Sequence, residues 1–288
     1  MKPIILLLAL SVLAINSFCL QASSVWLAEK NGNKVFLGGT VHMLSEKDYP
    51  LPAAYMTAYN QSDELFFETD VESLSSMATQ MKIVQQLSYQ DGRTINDDLT
   101  PETIARLEQH FASRGVPLNM FKSYKAGFIG MTITAMEMQI LGVTAKGVDE
   151  HFKTMATKDN KPVSWFESVE DQVGFVIGMA EGKENEFINY FIDSVSDTKT
   201  TWDTMIAQWR AGDMDAMNDN FLVPLESDHP QMNEVLITSR NDNWIPKIET
   251  LFEDDDTEFV LVGTLHLAGD NGVLNLLEEA GYKISKVQ

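Results

Sequence analysis

Two segments near opposite ends of the chain repeat one pattern, and this repeat limits the folds open to the sequence. Residues 35–43 read Val-Phe-Leu-Gly-Gly-Thr-Val-His-Met, and residues 259–267 read Phe-Val-Leu-Val-Gly-Thr-Leu-His-Leu. In each, a short apolar run predicts a buried strand, and the glycine at its end allows the backbone to turn sharply. The two histidines, His42 and His266, should then follow the carboxyl ends of their strands, which is the edge where open α/β sheets bind ligands.

Two further apolar runs end in a carboxylate. Residues 64–70 predict a strand with Glu68 at its carboxyl end, and residues 163–167 predict another that ends at Glu167. A helical segment lies between the strand before His42 and the strand of Glu68, and a helical crossover favours parallel strands. Because parallel strands end at the same edge of a sheet, these polar groups are expected to lie together.

The rest of the chain alternates helical and strand patterns. A β-hairpin is expected to turn at residues 31–33, and His110 is expected on the surface of a helix. The chain has no solenoid period, proline-rich linker or low-complexity segment. The sequence therefore predicts one α/β domain over residues 23–288, with a mixed, largely parallel central sheet, flanking helices and a helical insertion at about residues 72–160.

The charge of the chain excludes some partners. With 42 acidic against 21 basic residues, the formal net charge is −21 and the sequence pI is about 4.5. Nucleic acids and anionic membrane surfaces attract basic proteins, so neither is an expected partner.

The first residues have the layout of a secretory signal peptide, predicted here as residues 1–22. Lys2 precedes an apolar run over residues 4–14, and small residues begin at Ala22. The run is shorter than the ~20 residues that a membrane span needs, so no stable membrane anchor is expected after cleavage. The only cysteine, Cys19, lies in this segment; a lipoprotein is the alternative, although the bulky residue before Cys19 argues against it. The mature protein is expected to be exported, either to the periplasm or as a secreted protein.

The four strand-end groups suit a metal centre. Two imidazoles and one or two carboxylates suit a divalent cation that keeps a water in an open position. Such a cation lowers the pKa of its water and polarises a carbonyl, which allows hydrolysis without a protein nucleophile. The sequence has no Gly-x-Ser-x-Gly, His-Glu-x-x-His or glycine-rich phosphate loop that would indicate another chemistry.

Each of these residues also has a structural interpretation. A single histidine after a strand is more often packed or hydrogen-bonded than catalytic. Glu68 lies in an apolar run, where an ionised carboxylate needs a cation or a partner such as Arg240. Glu167 can serve the site or favour the N-terminus of the helix that follows it. Arg240 can pair with a buried acid or stabilise an oxyanion.

Together these motifs resemble the TraB/GumN family. The resemblance rests on the paired Gly-Thr-x-His segments, Glu68 at a strand end, Trp165-Phe166-Glu167 with Glu170 and Gln172, and Ser239-Arg240-Asn241 followed by Trp244. That family includes the Tiki-type metalloproteases and is related to the erythromycin esterase and ChaN-like folds. The resemblance covers residues 25–288, nearly the whole mature chain.

This resemblance implies an α/β fold whose two Gly-x-x-His histidines and a glutamate surround one site. In the Tiki branch that site is a divalent-metal peptidase centre, with manganese or cobalt favoured. On this sequence it implies His42, Glu68 and His266 as ligands, with Arg240 nearby. Other members are linked to inhibition of peptide pheromones or to polysaccharide clusters, so the substrate does not follow from the fold.

The leading hypothesis is an exported hydrolase, a peptidase that depends on manganese, cobalt or zinc. Glu167 acts in it as a base or as a supporting group behind the ligands, and Arg240 stabilises the developing oxyanion. The alternative is a non-catalytic protein of the same fold that sequesters a peptide or serves as an interaction module. The sequence leaves the substrate, the identity of the metal and the oligomeric state open.

Overall fold

A computed structural model describes residues 23–70, 73 and 76–288, and the predicted signal peptide lies outside the described residues. The strands are β1 (Val25–Lys30), β2 (Asn33–Thr40), β3 (Met43–Leu44), β4 (Glu64–Thr69), β5 (Ala145–Lys146), β6 (Val163–Glu167), β7 (Glu258–Gly263) and β8 (Lys283–Lys286). The α-helices are α1 (Ala53–Gln61), α2 (Met77–Gln86), α3 (Ile95–Asp98), α4 (Pro101–Ser113), α5 (Ala126–Ile140), α6 (Val148–Asp159), α7 (Val169–Gly178), α8 (Glu184–Ser194), α9 (Thr198–Ala211), α10 (Met214–Met217), α11 (Val223–Asp228), α12 (Pro230–Asn233), α13 (Ser239–Thr250) and α14 (Val273–Glu279).

One sheet contains most of the strands, in the order β6-β4-β7-β2-β1-β8. The strands β6, β4, β7 and β2 are parallel to one another, whereas β1 runs antiparallel to β2 and β8 runs antiparallel to β1. The short strands β3 and β5 form a separate antiparallel pair. The prediction of a mixed, largely parallel sheet with flanking helices is confirmed.

The connection between β1 and β2 is the predicted hairpin. Asn31 and Gly32 join the strands with positive φ angles of 54° and 98°. Two consecutive positive φ angles give a turn whose twist matches that of the paired strands, and Asn-Gly is the dipeptide that adopts it most readily. The hairpin sets the register of β2, with Val25 opposite Gly38.

Both faces of the central sheet are covered, which explains why its strands are continuous apolar runs. Along β7, Phe259 and Leu261 belong to one core cluster, and the alternating residues Val260 and Val262 belong to another. All four side chains are 1% exposed or less. A strand with helices on both faces shows this pattern in place of an apolar–polar alternation. The residues that follow β7 are therefore anchored by a fully buried strand.

A third core cluster lies within the helices α4, α5 and α8, and includes Phe111 and Ile133. His110 of α4 lies in the same region and is only 8% exposed. Its Nε2 lies 3.7 Å from Oε1 of Glu137, a carboxylate that Arg114 also binds. The prediction of a surface position for His110 is wrong, because the side chains that enclose it come from another helix.

The helices of the described part of the chain are short. The longest, α5, has 15 residues. No described helix combines the length and the apolar composition that crossing a bilayer requires.

The amino end of β7 carries a buried acid that titrates near neutral pH. Glu258 is 3% exposed, and its Oε2 has no hydrogen-bond partner among the described residues. Burial, together with the neighbouring acids Asp254, Glu64 and Asp256, raises the pKa of Glu258 from 4.5 to about 7. The folded protein keeps this proton at pH values where the unfolded chain has lost it. The free energy of unfolding should therefore fall as the pH rises from 4.5 to about 7.

Glu258→Gln should remove this titration. We expect the variant to be more stable than the wild type by about 2–3 kcal/mol above pH 7, and the difference to vanish below about pH 4.5. Urea unfolding over this pH range measures the effect. Glu278→Gln, at an exposed acid of α14, is the control and should leave the pH dependence of the wild type unchanged. A wild type and a Glu258→Gln variant with parallel pH profiles would contradict the prediction.

Candidate functional site

The carboxyl ends of the parallel strands bring the four predicted groups to one edge of the sheet. His42 follows β2 by two residues, and His266 lies in a 3₁₀ turn, Thr264–Leu267, directly after β7. Glu68 is the penultimate residue of β4, and Glu167 is the last residue of β6. Since β2, β7, β4 and β6 are parallel neighbours, these residues lie at the same edge of the sheet, where the strands have their carboxyl ends.

Gly263, the last residue of β7, marks the point around which three of these side chains meet. A Cβ atom on residue 263 would lie 3.1 Å from Oε1 of Glu68, 3.5 Å from Cδ2 of His266 and 3.9 Å from Nε2 of His42. The backbone N–H of Gly263 donates a hydrogen bond to Oε1 of Glu68 at 2.6 Å. Glycine at this position keeps free the space that the three polar groups border.

Buried side chains fix the end of β2 by hydrogen bonds to its backbone. The carbonyl oxygen of Gly39 accepts a hydrogen bond from Nε1 of Trp209 at 2.8 Å and another from the hydroxyl of Tyr55. A Cβ atom on residue 39 would lie 2.8 Å from Oγ1 of Thr264, so this close approach requires glycine. The two Gly-Thr segments that repeat in the sequence are thus in contact in the structure.

Arg240 of α13 lies between the two carboxylates. Its Nε and Nη2 donate to the two oxygens of Glu167 at 3.0 and 2.8 Å, and Nη2 also donates to Oε2 of Glu68. Its Nη1 donates to the carbonyl oxygen of Leu236 at 3.2 Å and lies 3.1 Å from Nε2 of His266. All five N–H donors of the guanidinium therefore have an acceptor.

Glu167 is held by four hydrogen bonds. Besides the two from Arg240, it accepts one from Nε1 of Trp244 at 2.8 Å and one from Nε2 of Gln172 at 2.6 Å. The ring of Trp244 in turn lies against that of His266, with centroids 4.4 Å apart. Glu167 is thus the group that fixes the positions of Arg240 and Trp244.

Asn241 determines the tautomer of His266. Its Nδ2 donates to the carbonyl oxygens of His266 and Asn271 at 3.1 and 2.7 Å, so its Oδ1 faces Nδ1 of His266, at 2.7 Å. An amide oxygen only accepts, so Nδ1 carries the proton and Nε2 keeps its lone pair. Burial lowers the pKa of His266 to about 3, so the ring is uncharged at neutral pH.

Glu68 is ionised in spite of its burial. Burial opposes the ionised form, but His266, Arg240 and His42, with the N–H of Gly263, lower the pKa of Glu68 to about 2. Because His266 is uncharged at neutral pH, the charges of Arg240 and His42, together with the backbone amide of Gly263, lower the pKa of Glu68 there.

His42 differs from the other three residues in its exposure. Its side chain is 63% exposed, against 5% for that of His266. Its Nδ1 lies 3.3 Å from Oδ1 of Asp149 in α6. Partial loss of hydration works to lower the pKa of His42, but the contact with Asp149 and the charge of Glu68 outweigh it and hold the pKa above its ordinary value.

The donors around Gly263 suit a divalent cation in kind, since they are two imidazoles and a carboxylate. The amide behind His266 is also the kind of partner that orients a metal-binding histidine. Within the described residues, however, no three His, Cys, Asp or Glu side chains are already grouped to hold a metal ion. The guanidinium of Arg240 lies against Oε2 of Glu68 and Nε2 of His266. A cation bound to Nε2 of His266 would have to replace the contact of that atom with Arg240.

Two contributors to this geometry were not predicted from the sequence. Asp149 stands in the first turn of α6, where an acid is already explained by the helix dipole. Trp209 lies in α9, and its hydrogen bond to the carbonyl oxygen of Gly39 joins residues 170 positions apart in the chain. The Gly147-Val148-Asp149 segment has the pattern of a helix start, and nothing in that pattern indicates a contact with His42.

The fold and the site define a class of protein: an α/β chain whose two Gly-Thr-x-His segments meet at the carboxyl edge of a parallel sheet, beside a buried Glu–Arg pair. The sequence profile of the TraB/PrgY/gumN family matches residues 24–286, nearly the whole chain. The chain therefore belongs to the TraB/PrgY/gumN family, which confirms the resemblance. A search of curated proteins found no match.

Removing the guanidinium of Arg240 would leave two buried carboxylates without their common partner. We expect Arg240→Met to lower the free energy of unfolding by about 3–5 kcal/mol, measured by urea unfolding. The loss should be smaller when Glu68→Gln and Glu167→Gln are added, because no unpaired buried charge remains. Arg93→Met, at an exposed arginine paired with an exposed acid, should stay close to the wild type. Equal losses in the single and triple variants would contradict this account.

Proposed function

We propose that this protein is an exported hydrolase of peptide bonds whose site holds a divalent cation between His42, Glu68 and His266. The observation that carries the proposal is the meeting of these three donors around Gly263, after two Gly-Thr-x-His segments. A bound cation would supply Lewis acidity toward a substrate carbonyl and a water of lowered pKa. Manganese, cobalt and zinc are the expected ions.

The charge of the cluster supports this proposal. Two buried carboxylates, those of Glu68 and Glu167, face the single guanidinium of Arg240. This leaves one negative charge in excess, in surroundings where an unbalanced charge is costly. The proton on His42 balances part of it in the free protein. His42 would give up that proton on becoming a ligand, since a ligating imidazole is neutral.

Arg240 is available for the reaction only when the site is filled. In the free protein each of its five N–H groups has an acceptor. Once Nε2 of His266 serves as a ligand, one N–H of Nη1 loses its acceptor. That N–H can then donate to the oxyanion that forms on the scissile carbonyl. Filling the site and freeing the oxyanion donor are thereby coupled.

The sequence left two roles open for Glu167, a base or a supporting group behind the ligands. We assign it the supporting role. Both of its oxygens accept hydrogen bonds, from Arg240, Trp244 and Gln172. Taking up a proton from water would disrupt its ion pair with Arg240, which argues against a role as the base. Its bidentate contact instead keeps the guanidinium in place while Nη1 changes its acceptor.

The direction of substrate approach follows from exposure. The side chain of His42 is 63% exposed, whereas those of Glu68, Glu167 and His266 are 10% exposed or less. A polypeptide segment can therefore reach the cluster from the side of His42. The resemblance to the TraB/GumN family, which includes the Tiki-type metalloproteases, supports a peptide as the substrate, and the pattern of residues 1–22 supports export.

A second candidate function is the sequestration of a peptide without catalysis. The observation that favours it is the pairing of Arg240, since the cluster has a partner for every guanidinium donor without a cation. This function predicts peptide binding that neither EDTA nor His42→Ala changes.

Calorimetric titration tests the proposed cation site. We expect the protein without residues 1–22 to bind one equivalent of Mn²⁺ or Zn²⁺, and its melting temperature to rise with the cation and fall again with EDTA. The double variant His42→Ala, His266→Ala should bind more than about 100-fold more weakly. His229→Ala, which removes an imidazole packed against Tyr190 away from the site, should bind as the wild type does.

Hydrolysis of an unstructured peptide should require the same cation and be lost in the double variant. No cation binding by the wild type at micromolar concentration and neutral pH would reject the proposed function. Peptide binding that persists under those conditions would then support sequestration.

A further inference from the structure

His42 lacks the packing that fixes the other members of the cluster. Its side chain is 63% exposed, whereas that of His266 is 5% exposed. An exposed ring keeps its rotamer freedom, so packing alone does not fix its orientation. Its Nε2 nevertheless faces the space beside Gly263, 3.9 Å from where a Cβ atom would lie. A polar contact must therefore orient the ring.

The start of α6 brings Asp149 to this ring. The N–H of Val148 donates to the carbonyl oxygen of Val41 at 3.0 Å, which ties the first turn of the helix to the residue before His42. A Cβ atom on Gly147 would lie 2.3 Å from the carbonyl carbon and oxygen of His42, so only glycine permits this approach. The carboxylate of Asp149 is thereby held 3.3 Å from Nδ1 of His42.

The helix dipole does not account for the position of this carboxylate. Asp149 and Glu150 both lie in the first turn of α6, where acids are favourable. Glu150 pairs with Lys146 at 2.7 Å. Oδ1 of Asp149 is instead buried and makes no hydrogen bond within the described residues, and its ion-pair contact is with Nδ1 of His42.

Each histidine of the repeated motif has a side-chain oxygen close to its Nδ1 atom, although only the contact of His266 is a hydrogen bond in the described structure. Oδ1 of Asn241 lies 2.7 Å from Nδ1 of His266, and Oδ1 of Asp149 lies 3.3 Å from Nδ1 of His42. Because each contact is made at Nδ1, each ring turns its Nε2 toward the space beside Gly263.

We propose that Asp149 is a positioning residue that orients His42 and, through it, the candidate cation site. Its bearing on catalysis rests on the proposed function, whereas the orientation itself is a property of the cation-free protein. An oxygen behind a ligating histidine fixes the ring and strengthens it as a ligand. Loss of Asp149 should leave the ring of His42 without a fixed orientation, because no packing replaces the contact. His266 should be unaffected, because it keeps its own partner, Asn241.

NMR of the cation-free protein labelled with ¹⁵N-histidine tests the orientation. The wild type should show a protected Nδ1–H resonance for His42, assigned by its loss in His42→Ala. The resonance should disappear in Asp149→Ala, persist in Glu150→Ala and return in Asp149→Asn, whose amide oxygen accepts the same hydrogen bond. The Nδ1–H resonance of His266 should persist in every Asp149 and Glu150 variant, which shows that the fold is intact.

Peptide hydrolysis by the cation-loaded protein tests the consequence. We expect Asp149→Ala to lower kcat by about 10–100-fold, with Asp149→Asn closer to the wild type and Glu150→Ala equal to it. A wild type that neither binds a cation nor cleaves peptide would reject the proposed function, while the NMR result would still decide the role of Asp149. A His42 resonance that is absent in the wild type, or unchanged in Asp149→Ala, would overturn the inference.

Discussion

One guanidinium between two buried carboxylates determines the geometry of this site. Arg240 binds Glu68 and Glu167 at once, and its remaining donors engage His266 and a backbone carbonyl. A buried ion pair of this kind contributes little net stability, but losing one partner is costly, so the groups constrain one another. The ends of β4 and β6 and the start of α13 are therefore held in one arrangement, and the site has its shape before any ligand arrives.

The topology of the sheet brings the residues of this arrangement together. Because β2, β7, β4 and β6 are parallel neighbours, whatever follows them in the chain lies at one edge. Three glycines then let the segments approach more closely than side chains would allow. Gly39 contacts the second Gly-Thr segment, Gly147 meets the backbone of His42, and Gly263 leaves room between the polar groups. The glycines of the repeated motif, Gly39 and Gly263, are therefore explained by these close contacts.

The sequence predicted the edge of the sheet, the residues on it and Arg240 as a possible partner of Glu68, but not what orients the two histidines. The four strand-end residues could be found because an apolar run and the residue that ends it are local features. The roles of Asp149 and Asn241 could not be derived, because each contact joins elements far apart in the chain, and an acid near a helix start already has a local explanation. His110 was misplaced for the same reason, since Glu137 lies on a different helix.

The coupling between the cation site and Arg240 is the central claim of this account. Anomalous diffraction from crystals soaked with Mn²⁺ would test it most directly. We expect one peak within ligand distance of Nε2 of His42, Nε2 of His266 and Oε1 of Glu68, with Nη1 of Arg240 no longer bound to His266. Crystals with no peak at this position, and with the contact between Arg240 and His266 intact, would contradict it.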